Sequence, residues 1–214
     1  MSRNIDDVRT RFDSAAADWD TNPGRVALAR AVVDAIRTLV SLRPDMNVMD
    51  FGAGTGLVTL GILPYVANLT AVDASGEMLR MLEQKLKALN VGNVRTLNCD
   101  IAKASLPTAE FDVIVSSMVL HHIQDVPMAI RQLRPSLRSG GWIALADLES
   151  EDGTFHTDSM GVYHHGFDPA QVCRWLQDSG FVDTTAREVH SMMRTSPDGR
   201  NRQYPIFLVI GRAD

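Results

Sequence analysis

The chain has 214 residues, 45% of them hydrophobic, and a formal net charge of -5, which suits one α/β domain with a small appendage and argues against a surface that tracks a nucleic-acid backbone. No apolar run reaches the ~18 residues of a transmembrane helix, and the start, MSRNIDDVRT, lacks the basic-then-apolar layout of a secretory leader. Cys99 and Cys173 form neither a zinc spacing nor a disulfide framework, so the expected location is the cytoplasm.

Residues 1–45 read as helical, with Val26, Ala29, Val33, Ile36 and Val40 on one apolar face. From Asn47 onward, apolar strands alternate with amphipathic helices, the pattern of a mostly parallel sheet covered on both sides. Strands are expected at 47–51, 69–72, 94–98, 111–115 and 142–146. A helix starts near Leu57 and is cut short by Pro64. Ser75 caps the next, whose buried face holds Met78, Leu79, Leu82, Leu86 and Leu89. Asp125 caps another, with Pro127 in its first turn, Ile130, Leu133 and Leu137 as its buried stripe, and Gly140-Gly141 as its stop. Asp168-Pro169 opens a further helix, with Val172 and Leu176 four apart and Gly180 at its end. The last stretch reads as a hairpin, 184–193 and 204–210, turning at Pro197-Asp198-Gly199.

Gly52, Gly54 and Gly56 follow the first strand and lead into a helix, the setting of a nucleotide-binding turn. Glycines let the backbone bend sharply and a ligand approach closely. Dinucleotide sites favour G-x-G-x-x-G around a pyrophosphate; here the spacing is G-x-G-x-G, with Asp50 two residues ahead. A carboxylate there repels phosphate and suits an ammonium group. S-adenosylmethionine offers an ammonium, a carboxylate and a sulfonium, and no phosphate. Asp73 ends the second strand, where a carboxylate accepts from ribose hydroxyls. Asp100 ends the third, in place for an adenine amino group. Taken singly, each of these aspartates also reads as a simple helix cap.

The segments VMDFGAGTG (48–56), AVDASGEML (71–79), NCDIA (98–102), FDVIVSSMVLHHI (111–123) and LRSGGWIALAD (137–147), with FDSAAADWD (12–20) ahead of them, together resemble the class I S-adenosylmethionine-dependent methyltransferases. Within these, they resemble most the small-molecule branch that includes the ubiquinone/menaquinone-biosynthesis C-methyltransferases. The resemblance implies an α/β, Rossmann-like, doubly wound, seven-stranded sheet, mostly parallel with an antiparallel last strand. It implies that Asp50, Gly52, Ala53 and Gly54 line the methionine moiety and that Asp73 holds the ribose. Ala74 and Met78 would lie beside the adenosine, and Asp100 and Ile101 would flank the adenine. Ser116 would face the methionine end by its backbone. Trp19 would help cover the site from residues 1–45, a helical lid on a cofactor-binding domain of 46–214.

In such an enzyme the acceptor attacks a methyl carbon already activated by the sulfonium, by in-line displacement, and alignment supplies much of the acceleration. A base is needed only where the acceptor must lose a proton. His121 and His122 follow the fourth strand, with His122 the candidate base. The loop 147–167 is the expected substrate loop, and His165 within it is a second catalytic candidate. No Lys or Arg occurs between Arg138 and Arg174, whereas six acidic residues do. That contrast points to a small acceptor, neutral or cationic, and away from nucleic acid. Glu149, Asp152, His156, His164 and His165 are ligand types without a tight motif such as H-E-x-x-H, so no metal is expected. Two rival readings share the glycine turn: a nicotinamide-dependent oxidoreductase and a catalytically silent cofactor-binding protein.

Overall fold

A computed structural model describes residues 5–100, 106–156, 158–195 and 199–214. Two helices come first: α1 (Ile5–Ala15), continued by a 3-10 turn over Ala16–Thr21, and α2 (Pro23–Leu39). Asn22 separates them, because its side chain accepts from the amides of Gly24 and Arg25 while Pro23 takes the first helical position.

Seven strands follow: β1 (Asn47–Phe51), β2 (Asn68–Asp73), β3 (Val94–Asn98), β4 (Phe111–Ser117), β5 (Leu137–Leu148), β6 (Phe181–Thr195) and β7 (Asn201–Ala213). They form one sheet in the order β3-β2-β1-β4-β5-β7-β6. The pairs from β3 through β5 are parallel, and β7 runs antiparallel to both β5 and β6. The expected seven-stranded, mostly parallel sheet with an antiparallel last strand is therefore the fold the chain adopts. Between the strands lie α3 (Leu57–Ile62), α4 (Gly76–Ala88), α5 (Val126–Leu133) and α6 (Pro169–Asp178).

Alternation along each strand feeds two cores, one per face. Ala144, Ala146 and Leu148 of β5 face α2, α3 and α4, joining Val32, Ile36, Ile62 and Leu82. Ile143 and Leu145 face the other way, toward α5 and α6, joining Ile130, Val172 and Leu176. The buried face of α2 is Leu28, Ala29, Val32, Val33 and Ile36; Ala29, Val33, Ile36 and Val40 of the expected stripe are buried, Val26 is only partly so, and Leu28 and Val32 widen the face. A Cβ placed on Gly61 of α3 would come within 2.8 Å of Val33, which shows how closely the two helices approach.

The local caps fall at Ser75, Asp125 and Asp168, each side chain accepting from an amide of the first turn. Other expectations need correction. Leu89 sits at the end of α4, 61% exposed, because the helix stops before that position turns inward. Leu137 and Gly140-Gly141 belong to β5, not to the preceding helix. Pro135, in a 3-10 turn over Arg134–Ser136, has already ended α5. Gly140, at φ +75°, instead accommodates an irregularity where the β4–β5 register jumps from Phe111↔Leu137 to Val113↔Trp142. The expected hairpin turn at Pro197-Asp198-Gly199 lies largely outside the described residues.

Strand order reverses between β1 and β4, so their carboxyl ends diverge into a crevice, the place where open α/β sheets bind ligands. A concavity of about 340 Å³ lined by Asn47, Asn68, Arg95 and Glu110 opens at the opposite, amino-terminal edge of the strands and holds none of the site residues.

Candidate functional site

The turn after β1 is built by three glycines with left-handed backbones, but they serve different ends. A Cβ on Gly52 would meet Val119 at 2.2 Å, and one on Gly56 would meet Leu82 at 2.3 Å. Those two glycines let the turn pack against the protein. Gly54, at φ +55°, has only Met78 Sδ near its virtual Cβ, at 4.0 Å, and is the one whose open side leaves room for a ligand.

Two carboxyls flank this turn. Asp73, at the end of β2, accepts from the Gly54 amide at 2.7 Å and the Ser75 amide at 2.8 Å, and burial pushes its pKa up. Asp50 lies fully inside, accepting from the Thr59 hydroxyl at 2.6 Å. Burial first, and the Asp73 charge after it, raise the Asp50 pKa to about 7. A buried carboxyl held by the hydroxyl and backbone of Thr59 alone among the described groups, beside an open glycine, suits an arriving ammonium group. Ala53 is buried in the turn, Met78 is buried at the start of α4, and Ala74 is exposed between them. The Ser116 hydroxyl donates to the Phe51 carbonyl at 2.7 Å, tying β4 to β1 and leaving the Ser116 backbone at the crevice. Asp100 follows β3, half-buried, and Ile101 lies outside the described residues.

The N-terminal segment reaches the turn through two aspartates that sequence reasoning passed over. Asp13 accepts from the Ser75 hydroxyl at 2.5 Å. Asp20 accepts from the Thr55 hydroxyl at 2.5 Å and pairs with Lys85 of α4, which also donates to the Thr55 carbonyl at 2.6 Å. Trp19 lies between these anchors, 5.7 Å from the Phe12 ring and under the guanidinium of Arg25 at 3.7 Å.

From Phe12 a wall of rings continues across the crevice. Phe12 meets His122 edge-on at 5.1 Å, His122 stands 4.1 Å from His121, and both face His156, which in turn touches Phe155 at 4.8 Å. His121 is buried and oriented by Asp147 at the end of β5, Nδ1 to Oδ1 2.7 Å. Asp147 also accepts from the amides of Leu120 and Leu148, at 2.8 and 2.7 Å. The neighbouring His121 holds the Asp147 carboxyl below its usual range, outweighing the effect of burial, which acts the other way. Parallel neighbours β4 and β5 align Ser117 with Ala146, so the His121–Asp147 pair was available from strand order alone.

His122 donates from Nδ1 to the Gly161 carbonyl at 2.7 Å, and burial drives its pKa down to about 3. His156 is driven to about 4 by burial and by nearby positive charge, and its Nε2 is buried without a hydrogen-bond partner among the described residues. The structure does not bring His165 to this wall. It is 54% exposed, 3.6 Å from Glu151, against Gly153. His164 contacts the Ile123 carbonyl at 2.9 Å, Asp152 pairs with Arg202, and among the described residues no three ligand-type side chains gather to hold a metal.

Comparison with known proteins bears on this arrangement. Residues 49–145 match the family model described as a methyltransferase domain. An uncharacterised methyltransferase of Schizosaccharomyces pombe is 30% identical over 152 residues, 64% of this chain and 54% of that protein. A malonyl-[acyl-carrier protein] O-methyltransferase of Halorhodospira halophila is 29% identical over 191 residues, 82% of this chain and 61% of that protein. In three dimensions, phosphoethanolamine N-methyltransferase 2 of Haemonchus contortus, solved with phosphomonomethylethanolamine and S-adenosylhomocysteine, superposes with a TM-score of 0.68 at 13% identity, over 85% of this chain and 52% of that one. The chain spans about half the length of the curated relatives it matches first. Residues 49–145, just under half of the chain, thus resemble a methyltransferase domain, and the likeness to the solved structure, at 13% identity, is one of fold.

Proposed function

We propose that the protein transfers a methyl group from S-adenosylmethionine to a small-molecule acceptor held under its N-terminal segment. The observation that carries this reading is the turn open only at Gly54, between the buried carboxyl of Asp50 and the strand-end carboxyl of Asp73. The cofactor, when bound, supplies a methyl carbon activated by the adjoining sulfonium. Asp50, Gly52, Ala53 and Gly54 take the amino-acid tail, with the Ser116 backbone beside them. Asp73 takes the ribose hydroxyls, Ala74 and Met78 border the adenosine, and Asp100 and Ile101 border the adenine. Residues 1–45 act as the lid, and Trp19 with the Phe12 ring closes the methyl end.

The wall of imidazole and phenyl rings excludes water and fixes the acceptor in line, which is the main catalytic task. For an acceptor that loses a proton, the Asp147-oriented His121 is favoured as base. His122 spends Nδ1 on Gly161 and stays neutral, which supports a wall role. His165 stands too far out in solvent for the reacting atoms. The likeness to the ubiquinone/menaquinone C-methyltransferases supports a small acceptor. Two of the proteins named above are an O- and an N-methyltransferase, and both act on small or carrier-borne acceptor groups bearing oxygen or nitrogen. A net charge of -5 favours a metabolite over nucleic acid.

Titration calorimetry with S-adenosylmethionine, S-adenosylhomocysteine and NAD tests the reading. Asp50, at about 7, is protonated in the free protein below neutrality, and the ammonium calls for its ionised form. Binding below pH 7 should therefore release a proton, and affinity should fall by up to about tenfold per pH unit. Asp50→Asn should abolish the proton release. Binding of NAD in place of the adenosyl-sulfur ligands, or an affinity independent of pH, would count against the assignment.

A further inference from the structure

The stretch 139–173 contains no Lys or Arg, yet folding brings arginines to it from elsewhere. Arg25, at the start of α2, stacks on Trp19 at 3.7 Å and donates to the Trp19 carbonyl at 3.2 Å. Arg194, near the end of β6, stacks on Phe155 at 4.1 Å and donates to the Phe155 carbonyl at 2.9 Å. The two elements meet directly, since a Cβ on Gly24 would lie 3.7 Å from Met192, two residues from Arg194 on the same side of the strand. Both guanidiniums are partly buried, and burial lowers both of their pKa values. The charges of Arg194 and Arg11 bear on Arg25, and those of Arg194 and Arg11 on His156.

Neither Arg25 nor Arg194 forms an ion pair with a carboxylate among the described residues. Asp20, whose charge reaches Arg25, is committed to Lys85 and Thr55. A guanidinium has five N–H donors in a fixed fork, and a single carbonyl occupies little of that capacity. Partly buried positive groups that feel one another's charge and form no ion pair of their own are costly unless an anion joins them. His156, which lies against Phe155 and feels the Arg194 charge, has a buried Nε2 without a partner among the described residues. Rings connect the whole set, from Trp19 through Phe12, His122 and His156 to Phe155.

We propose that the methyl acceptor carries an anionic group, a carboxylate or a phosphate, which Arg25 and Arg194 grip from two sides while His156 Nε2 contacts it from the ring wall. This rests on the methyltransferase reading of the same crevice. It replaces the expectation of a neutral or cationic acceptor. That expectation took charge from neighbours in sequence, whereas Arg11 and Arg194 reach the same loop in space. The stacking rings fix the forks in place, so the anion orients the acceptor toward the methyl end under Trp19.

The test uses the full chain saturated with S-adenosylhomocysteine and titrated with inorganic phosphate, acetate or succinate, read by calorimetry and by tryptophan fluorescence. One anion class should bind in the millimolar range or tighter. Preference for phosphate or for the carboxylates identifies which group the acceptor bears. Arg194→Gln should weaken that binding by about tenfold or more, and Arg194→Lys should restore part of it, while S-adenosylhomocysteine affinity stays within twofold or so of the parent. Lys retains the charge if Gln perturbs the hairpin. Undisturbed S-adenosylhomocysteine binding with no anion binding, or with anion binding equal in R194Q, overturns the proposal and leaves the cofactor assignment standing. Anion binding that depends on Arg194 in a protein that ignores S-adenosylhomocysteine upholds the pocket and sinks the methyltransferase reading instead.

Discussion

The glycine turn takes nearly all its parts from residues 48–78, while the ring wall draws single side chains from α1, α2, the loop after β4, the loop after β5, and β6. The first is a local device: one strand, three glycines and two carboxyls fix it, and the amides of Gly54 and Ser75 hold the Asp73 carboxyl in place. The second exists only when distant elements have docked. A turn of the first kind suits a ligand that never changes, and an assembled wall suits one that differs from protein to protein. The contrast predicts where damage spreads.

The pin of the wall is Asp147, buried and accepting from the Leu120 and Leu148 amides and from His121. Asp147→Ala strands all of these donors in the interior and should cost on the order of 3–5 kcal/mol of stability in urea unfolding. A loss below 1 kcal/mol or so would show that the wall does not depend on this residue.

A smaller effect separates the regions by the sign of their response to pH. His122 and His156 on the wall have native pKa values of about 3 and about 4, below the ordinary value of 6.5. As pH falls through 6.5 the unfolded chain takes up protons that the native wall refuses. Stability present above that pH is then lost, about 1 kcal/mol per histidine by a unit below. Asp50 in the turn behaves oppositely. Its native pKa of about 7 exceeds the ordinary 3.8, so the proton it retains adds stability at acid pH that fades as pH rises toward 7. His156→Gln should flatten the acid-side fall, and Asp50→Asn should steepen it. Unaltered slopes in both variants would erase the distinction.

The smallest effect concerns the latch between the regions. Lys85→Met removes the partly exposed pair with Asp20 and should lower global stability by only about 0.5–1 kcal/mol. Hydrogen exchange over residues 9–21 should nonetheless speed up, while β1 to β5 remain unchanged. Equal protection in both proteins would show that Asp13 alone holds the segment.

Legibility in the sequence follows the same division. The strands, the glycine turn and the caps at Ser75, Asp125 and Asp168 are read correctly because each is dictated within a few residues. Gly140-Gly141 is misread because a glycine pair after an apolar stripe signals a helix stop equally well, and Pro135 had already supplied one. Leu89 keeps the helical spacing yet falls where the helix ends. His121 is visible as a residue, but its partner Asp147 becomes visible only once β4 and β5 are known to be neighbours. Arg25 and Arg194 carry no local mark at all. Their meaning arises from α2 resting on β6, a contact between remote parts of the chain that no window of residues displays.

That contact also has a bearing on how the polypeptide is made. Synthesis delivers α2 early, with an apolar face of Leu28, Ala29, Val32, Val33 and Ile36 ready to be covered. Part of its cover is the hairpin of β6 and β7, through Met192 and Ile206. On the ribosome, that oily stripe has to wait for about 150 further residues before the fold can be sealed, which leaves it a natural handle for chaperones during the interval.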